Sequence, residues 1–258
     1  EILEHKFFGL QSIKQDLINK RVVDELPDYL KAYRRALRLR YDNIYLNWGG
    51  ISPSFDFASS AAESWVLDLD QHGPVSVFSE TLLESSEGTE NVLFATREVL
   101  SRILNCQNHE VVLTRNTTHG IRLALHSIDF KGKGSPDFDR ILLTDLEHDT
   151  VFNCCRIVEQ RFNVRCELIH ASNDTSVETI ARSIIEKSTD GKTKVVILSH
   201  GTYNTGQVID VGKVIGEVRN NLGDKTPLFI IDGAQAVGHI PVSFKDINCD
   251  FGTAEGHK

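Results

Sequence analysis

The chain of 258 residues predicts an α/β fold in which a largely parallel sheet is covered by helices on both faces. From residue 109 onward, short apolar runs alternate with amphipathic segments, which is the pattern of successive β-α-β units. Several of the apolar runs end in polar clusters. Because the carboxyl ends of parallel strands lie at one edge of a sheet, we expect these clusters to meet at that edge.

Five apolar runs are predicted strands, and the segments around them are predicted helices. The strands are HEVVLT (109–114), RILLTDLEHD (140–149), VRCELIHA (164–171), KVVILSH (194–200) and PLFIID (227–232). The helices are 88–104, the segment that begins near Thr117 and includes IRLALHSI, VETIARSIIEK (177–187) and VGKVIGEVRNN (211–221).

The amino-terminal part has a different pattern. Residues 10–40 have helical spacing around a break at Pro27, and NIYLNWGGISPS predicts a short strand that runs into a Gly-Gly, Ser-Pro turn. We therefore expect an amino-terminal helical extension within residues 1–72 and a large α/β domain at 73–258.

Composition narrows the class of function. The chain carries 28 basic and 36 acidic residues, a net charge of -8, which argues against nucleic acid or an anionic membrane as partner and favours a small molecule. The five cysteines have no C-x-x-C spacing, so we expect reduced thiols in a cytoplasmic protein. The charged amino terminus is neither a signal peptide nor an anchor, and no metal site is predicted.

Three polar positions have a chemical interpretation from their residue types alone. Asp232 ends an apolar run, where a carboxylate at the sheet edge would contact a ligand. Lys258 would be a Schiff-base nucleophile if its pKa is lowered, and His257 beside it would assist or bind an anion. Singly, however, a strand-ending Asp is an ordinary turn residue and a Lys an ordinary surface charge.

The pattern D-G-A-Q-A-V-G, then C-D-F, then G-H-K resembles the cofactor-binding core of class V aminotransferase-like enzymes, which are pyridoxal phosphate enzymes of fold type I. The resemblance implies that Asp232 pairs with the pyridine nitrogen, Gln235 hydrogen-bonds the ring hydroxyl and Lys258 carries the internal aldimine. An ionised aspartate keeps the ring nitrogen protonated, which makes the cofactor an electron sink.

Three further clusters, which contain Thr117, His148 and Asn204, extend the resemblance. T-R-N-T-T-H-G is similar to the family's phosphate-binding motif, which implies contacts from the Thr117 backbone and the Thr118 side chain; simple helix capping is the alternative. The pair Glu147-His148 is similar to an E-H pair that follows the same strand in the family, which implies that His148 stacks on the cofactor ring and moves protons. An isolated His, however, is often a loop residue. His257 is carried over as a phosphate contact.

The segment T-Y-N-T-G-Q resembles the cystine carbon-sulfur lyase branch, and it makes Asn204 a candidate cofactor contact. The asparagine of cysteine desulfurases aligns with Tyr203, one residue earlier, and an ordinary turn is the alternative. The stretch L-N-x-G-x-x-S-P is similar to isopenicillin N epimerase-like members, in which this segment lies close to the substrate. The resemblance thus implies a substrate-proximal segment within residues 1–72 and a pyridoxal phosphate-binding large domain at 73–258; an ordinary turn is the alternative for the stretch.

Two positions depart from the family pattern. His119 replaces a common acid, which puts the role of that acid in doubt. Glu255 stands three residues before the lysine, where the family usually has Ser, Thr or Asn that helps to hold the phosphate. A carboxylate at that place would repel a phosphate dianion.

The resemblance covers residues 44–258 and implies a longer protein. The rest of the large domain, the small carboxy-terminal domain, the arginine for the substrate carboxylate and a desulfurase's mobile-loop cysteine would all follow Lys258. It implies a homodimer acting on a small amino acid, with carbon-sulfur lyase, desulfurase-like or epimerase-like chemistry.

Three alternatives remain open. The first is a class V aminotransferase, and the second is a catalytically inactive binding protein of the same fold. The third is a nucleotide-binding α/β protein, although the chain has no G-x-G-x-x-G motif and no P-loop.

Overall fold

A computed structural model describes residues 28, 36, 47, 49–72, 92–171 and 175–257. The chain divides into two compact units, residues 1–89 with His257, and residues 90–256 with Lys258. The predicted helices at 10–40 lie outside the described residues, apart from two single positions, and so does Lys258.

In the first unit, the predicted Gly-Gly turn is present and leads to a helix that the sequence analysis did not predict. The backbone amides of Gly50 and Ile51 donate to the carbonyl oxygen of Asn47 at 3.1 and 3.2 Å. Helix α1 spans Asp56–His72, and the acid in its first turn complements the helix dipole.

The second unit contains a sheet of five parallel strands. They are β1 Asp139–Thr144, β2 Val164–Ile169, β3 Thr193–Ser199, β4 Leu228–Asp232 and β5 Phe251–Thr253. The strand order is β2-β1-β3-β4-β5, and each neighbouring pair is parallel. The predicted α/β fold with a parallel sheet is confirmed, as are four of the five predicted strands.

The predicted strand at 109–114 is wrong. Asn108–Glu110 forms a 3-10 turn closed by a capping box with Gln107, and residues 111–114 have no regular structure. Val112 is 68% exposed, so its apolar side chain lies on the surface of the described part of the chain. An apolar run alone does not distinguish a buried strand from such a surface segment.

Six helices of the described chain belong to this unit. They are α2 Val92–Leu104, α3 Thr117–His126, α4 Asp149–Arg161, α5 Val177–Ser188, α6 Val211–Leu222 and α7 Phe244–Ile247. Asn116, Ser176 and Asp210 cap α3, α5 and α6 by accepting a backbone N–H of the first turn. The predicted helices that coincide with α2, α3, α5 and α6 are confirmed over their described residues.

The sheet separates two hydrophobic cores. Side chains of α3 and α4 pack on one face around Ile141 and Ile230, and those of α5, α6 and α7 pack on the other around Phe229 and Ile231. Alternate residues of β4 therefore point into different cores, as expected for a strand buried on both faces.

The strand order determines where the loops diverge. The connection after β1 leads to β2 on one side, and the connection after β3 leads to β4 on the other. The carboxyl ends of β1 and β3 are therefore a topological switch point, where open α/β sheets form a ligand crevice.

Candidate functional site

Asp232 lies at the carboxyl end of β4 with its side chain nearly buried, at 6% exposure for the residue. Its Oδ1 accepts a hydrogen bond from Ala234 N at 2.9 Å, and its backbone carbonyl accepts one from His200 N at 2.9 Å. A Cβ on Gly233 would lie 2.8 Å from the carbonyl oxygen of Thr253, so glycine is required after the acid. The backbone therefore holds the carboxylate at a defined place on the sheet edge.

Glu147 is buried at the same edge, and the sequence analysis assigned it no role. Its Oε1 accepts from Thr144 Oγ1 at 2.7 Å and from Ser199 N at 3.1 Å, while Oε2 accepts from Ser199 Oγ at 2.6 Å. Thr144 ends β1 and Ser199 ends β3, so this carboxyl group links the two strands at the switch point.

The surroundings of Glu147 favour its protonated form. Burial raises its pKa from 4.5 to about 7; the hydrogen bonds from Ser199 and Thr144 oppose the rise, and the negative charge of Asp232 adds to it. The signal for this residue in the sequence was a Glu beside His148, three positions after the end of a buried strand. Its burial was not visible there.

His148 follows Glu147 and caps α4. Its Nδ1 accepts a hydrogen bond from Thr150 N at 3.2 Å and lies 3.0 Å from Thr150 Oγ1. Because Nδ1 acts as an acceptor, the neutral ring carries its proton on Nε2. The ring meets Tyr203 edge-on, with centroids 4.7 Å apart at 67°. Tyr203, which follows β3, is half exposed, so the two aromatic rings meet at the switch point.

The segment after β3 is a tight turn that passes close to Gln235. Thr202 N donates to the carbonyl oxygen of Gln207 at 2.9 Å, and Gln207 N donates to Thr202 Oγ1 at 3.0 Å. A Cβ on Gly201 would lie 3.3 Å from the Gln235 backbone and Cβ, so this side of the turn packs against the segment that follows Asp232. Asn204 lies in the exposed part of the turn.

The first turn of α3 lies near the end of β5. The backbone amide of Thr117 donates to Glu255 Oε1 at 2.8 Å, while the Thr117 hydroxyl oxygen is buried without a hydrogen-bond partner in the described part of the chain. Thr118 is the second residue of the helix, so its amide has no acceptor within the helix. Glu255, which had no sequence-based role, thus contacts the predicted phosphate-binding turn.

The end of the chain is only partly described. His257 groups with the amino-terminal unit, where its carbonyl oxygen accepts a hydrogen bond from Ser52 N at 2.8 Å. Lys258 lies outside the described residues, so its predicted role stays a prediction.

The five cysteines are buried or half-buried. All five are free, which agrees with the predicted reduced thiols, and Cys154 and Cys155 are buried. Burial raises the pKa of Cys154 and of Cys249 to about 11.

Within the described ranges, no cluster of three or more His, Cys, Asp or Glu side chains is arranged to hold a metal ion. None of the helices described is both long and apolar enough to cross a membrane.

The chain is similar in sequence to a known family and to several known proteins. The model of the family "Aminotransferase class-V" matches residues 74–258. A "Probable cysteine desulfurase" of Methanothermobacter thermautotrophicus is 26% identical over 226 residues, which are 87% of this chain and 52% of the relative. Another of Staphylococcus aureus is 29% identical over 177 residues, 67% of this chain and 39% of the relative.

Solved structures share the fold. A cystine C-S lyase in complex with its reaction product, cysteine persulfide, has a TM-score of 0.70 and 25% identity, and the match covers 83% of this chain and 53% of the lyase. An apo cysteine desulfurase from Thermococcus onnurineus has a TM-score of 0.69 and 20% identity, with 88% and 53% covered. The chain thus spans about half the length of these relatives.

Proposed function

Because the chain belongs to the class V aminotransferase family, we propose that the protein is a pyridoxal phosphate enzyme that acts on a small amino acid. The observation that carries the proposal is the Asp232 carboxylate, which is nearly buried and held by backbone contacts at the carboxyl edge of a parallel sheet. When bound with its ring nitrogen protonated, pyridoxal phosphate supplies an electron sink for a carbanion beside the substrate amine.

The described residues fit the ring of this cofactor. Asp232 would hold the proton of the ring nitrogen, and Gln235 would donate to the ring hydroxyl. His148 would cover the ring, and its edge-on contact with Tyr203 limits the positions that the imidazole can take. An imidazole with one acceptor nitrogen and one N–H can also move a proton at the substrate carbon.

The phosphate end fits the first turn of α3. The Thr117 hydroxyl, which has no partner among the described residues, and the amide and hydroxyl of Thr118 are donors of the kind that bind phosphate at a helix N-terminus. The predicted contacts of Asn204 and His257 stay part of the proposal. So does Lys258, whose amine would bond the cofactor covalently and exchange the substrate proton.

Within this class, carbon-sulfur bond cleavage is the reaction we favour. The matched proteins include a cystine C-S lyase and cysteine desulfurases. The turn that contains Tyr203 and Asn204 resembles the lyase branch in sequence. Epimerisation and transamination share the first steps of such a reaction, so they are two alternatives, and an inactive binding protein is the third.

Two experiments test the proposal on the full-length protein. The purified protein should be yellow, and borohydride reduction should fix the cofactor mass on Lys258. A colourless protein that binds no added pyridoxal phosphate would refute it. Lys258→Ala should abolish turnover but retain reversible cofactor binding.

Product analysis distinguishes the reactions. Incubation with cystine should release pyruvate, ammonia and cysteine persulfide if a carbon-sulfur bond is cleaved by elimination. Cysteine should give pyruvate, ammonia and sulfide by the same route, or alanine if its sulfur is transferred to a thiol as a persulfide. Keto acid formation with amino donors would indicate transamination, and racemised amino acid alone would indicate an epimerase. Binding of the cofactor without any turnover would leave the inactive binding protein.

A homodimer in the cytoplasm completes the proposal. Phe94, Val99 and Ile103 of α2 are each more than half exposed, which provides an apolar surface in the second unit that a second subunit would cover. Analytical ultracentrifugation of the full-length protein measures the oligomeric state directly.

A further inference from the structure

The carboxylate of Glu255 occupies the backbone amide at the start of α3. We propose that Glu255 is an internal anion that competes with the cofactor phosphate for this helix terminus, so that loading of the cofactor requires the carboxylate to move away. The inference rests on the proposed function, because it concerns how this chain handles the phosphate of pyridoxal phosphate.

The fold brings these residues together across a long stretch of sequence. Thr117 N donates to Glu255 Oε1 at 2.8 Å, although the two residues are 138 positions apart. The first turn of α3 packs directly on β5, since a Cβ on Gly120 would lie 3.1 Å from Thr253 Cγ2. Glu255 follows Thr253 by two residues, and it is half-buried at this contact. The carboxylate is therefore placed by the packing of a helix on a strand.

The contacted helix start has the remaining donors that an anion needs. Asn116 Oδ1 already accepts from His119 N at 2.9 Å, and the Asn116 carbonyl accepts from Gly120 N at 3.1 Å. The Thr117 amide donates to Glu255, the Thr118 amide has no acceptor within the helix, and the Thr117 hydroxyl has no partner in the described part of the chain. Thr117 is 6% exposed and its hydroxyl oxygen has no partner in the described part of the chain, which is an independent sign of a missing ligand atom.

A phosphate and a carboxylate at the same amide would repel each other. The phosphate gains the helix terminus only if Glu255 gives up a charge-assisted hydrogen bond, which is among the stronger hydrogen bonds in proteins. A ligand that lacks the phosphate, such as pyridoxal, does not compete with the Glu255 carboxylate for the helix terminus. Glu255 should therefore reduce the preference of the site for the phosphorylated over the unphosphorylated ring.

Affinities of the full-length protein and three variants for two ligands test this inference. Glu255→Ser removes the charge and has the side chain that the family pattern suggests, and Glu255→Gln removes the charge but keeps the size. Glu186→Ser is the control, because it also replaces an acidic residue by serine. Glu186 is exposed and lies at the carboxyl end of α5, on the side of the sheet where the strands begin, whereas the candidate site lies where the strands end. Cofactor-depleted proteins are titrated with pyridoxal phosphate and with pyridoxal, and binding is followed by absorbance.

We expect Glu255→Ser to lower the Kd for pyridoxal phosphate at least about tenfold, which corresponds to about 1.4 kcal/mol. Its Kd for pyridoxal should change less than about twofold. Glu255→Gln should show the same pattern as Glu255→Ser, with a lower Kd for pyridoxal phosphate and little change in the Kd for pyridoxal. The control should have the Kd values of the native protein. Without any cofactor, inorganic phosphate should raise the melting temperature of Glu255→Ser more than that of the native protein.

The possible failures are distinguishable. If native protein and Glu255→Ser bind pyridoxal phosphate equally, or if the variant binds it more weakly, Glu255 does not compete with the phosphate, while the proposed function stands. If no protein binds either ring, the proposed function is wrong. The inorganic phosphate measurement then still decides on its own whether Glu255 blocks the helix terminus. Glu255→Gln provides the same comparison if the serine variant does not fold.

Discussion

The buried carboxyl group of Glu147 should make the stability of the folded chain depend on pH in the neutral range. Glu147 is 2% exposed and is held by Thr144 and Ser199 at the ends of two strands. Glu147→Gln retains the size and one oxygen acceptor for these partners but cannot ionise. The substitution therefore removes the titration with little change in packing.

The sign and size of the effect follow from the pKa. The usual value of 4.5 applies to the unfolded chain, and burial raises the pKa of the folded chain to about 7. Since the folded chain holds this proton more tightly, the contribution to stability is fully present below about pH 4.5 and is lost as pH rises through about 7. The difference corresponds to about 3 kcal/mol of unfolding free energy.

Urea unfolding of the cofactor-depleted protein, followed by circular dichroism at several values between pH 5 and pH 8, measures this effect. The stability of Glu147→Gln relative to the native protein should increase by about 2.5 kcal/mol across that range. Glu178→Gln is the control, because the hydrogen bond to Lys213 lowers the pKa of Glu178 to about 2 and its titration ends below pH 5. Parallel stability curves for Glu147→Gln and the native protein would show that Glu147 is ionised throughout.

Two other predictions concern the core and the thiols. Phe229→Ala should reduce the unfolding free energy by about 3–5 kcal/mol, because the ring is fully buried. Leu228→Ala should reduce it clearly less, because Leu228 is 37% exposed. Equal losses of stability in urea unfolding would contradict the assigned strand faces. At pH 8, Cys154 and Cys249 should react with a disulfide reagent about 100-fold more slowly in the native than in the unfolded protein, because their pKa is raised to about 11. Fast modification of either residue in the native state, detected by mass spectrometry, would contradict this reasoning.

Much of the second unit was predictable because its signals are local. The apolar runs that end at Thr144, Ser199 and Asp232 are strands, and polar residues before helical segments, such as Ser176, are caps. The run at 109–114 was mispredicted because apolar residues identify a strand only if another strand lies beside them. Helix α1 was missed because its apolar side chains have a weak helical pattern.

The candidate site was predictable as a set of residue types and only partly as an arrangement. The sequence motifs alone pointed to Asp232, His148 and Thr117. They did not indicate that Tyr203 meets the His148 ring, since this contact depends on β1 and β3 being neighbours. Strand order is decided by the packing of the whole sheet.

The sequence by itself determined the fold class, the family and the residue types at the ends of the strands, because hydrophobic periodicity and short motifs are properties of neighbouring residues. Only the tertiary structure decided that Glu147 is buried between two strand ends and that Glu255 binds the amide of Thr117. Burial, charge separation and contacts across 138 positions depend on how distant segments pack. For that reason Glu255, which the sequence marked only as an unusual neighbour for a phosphate, acquires a specific role as a competing anion from the fold.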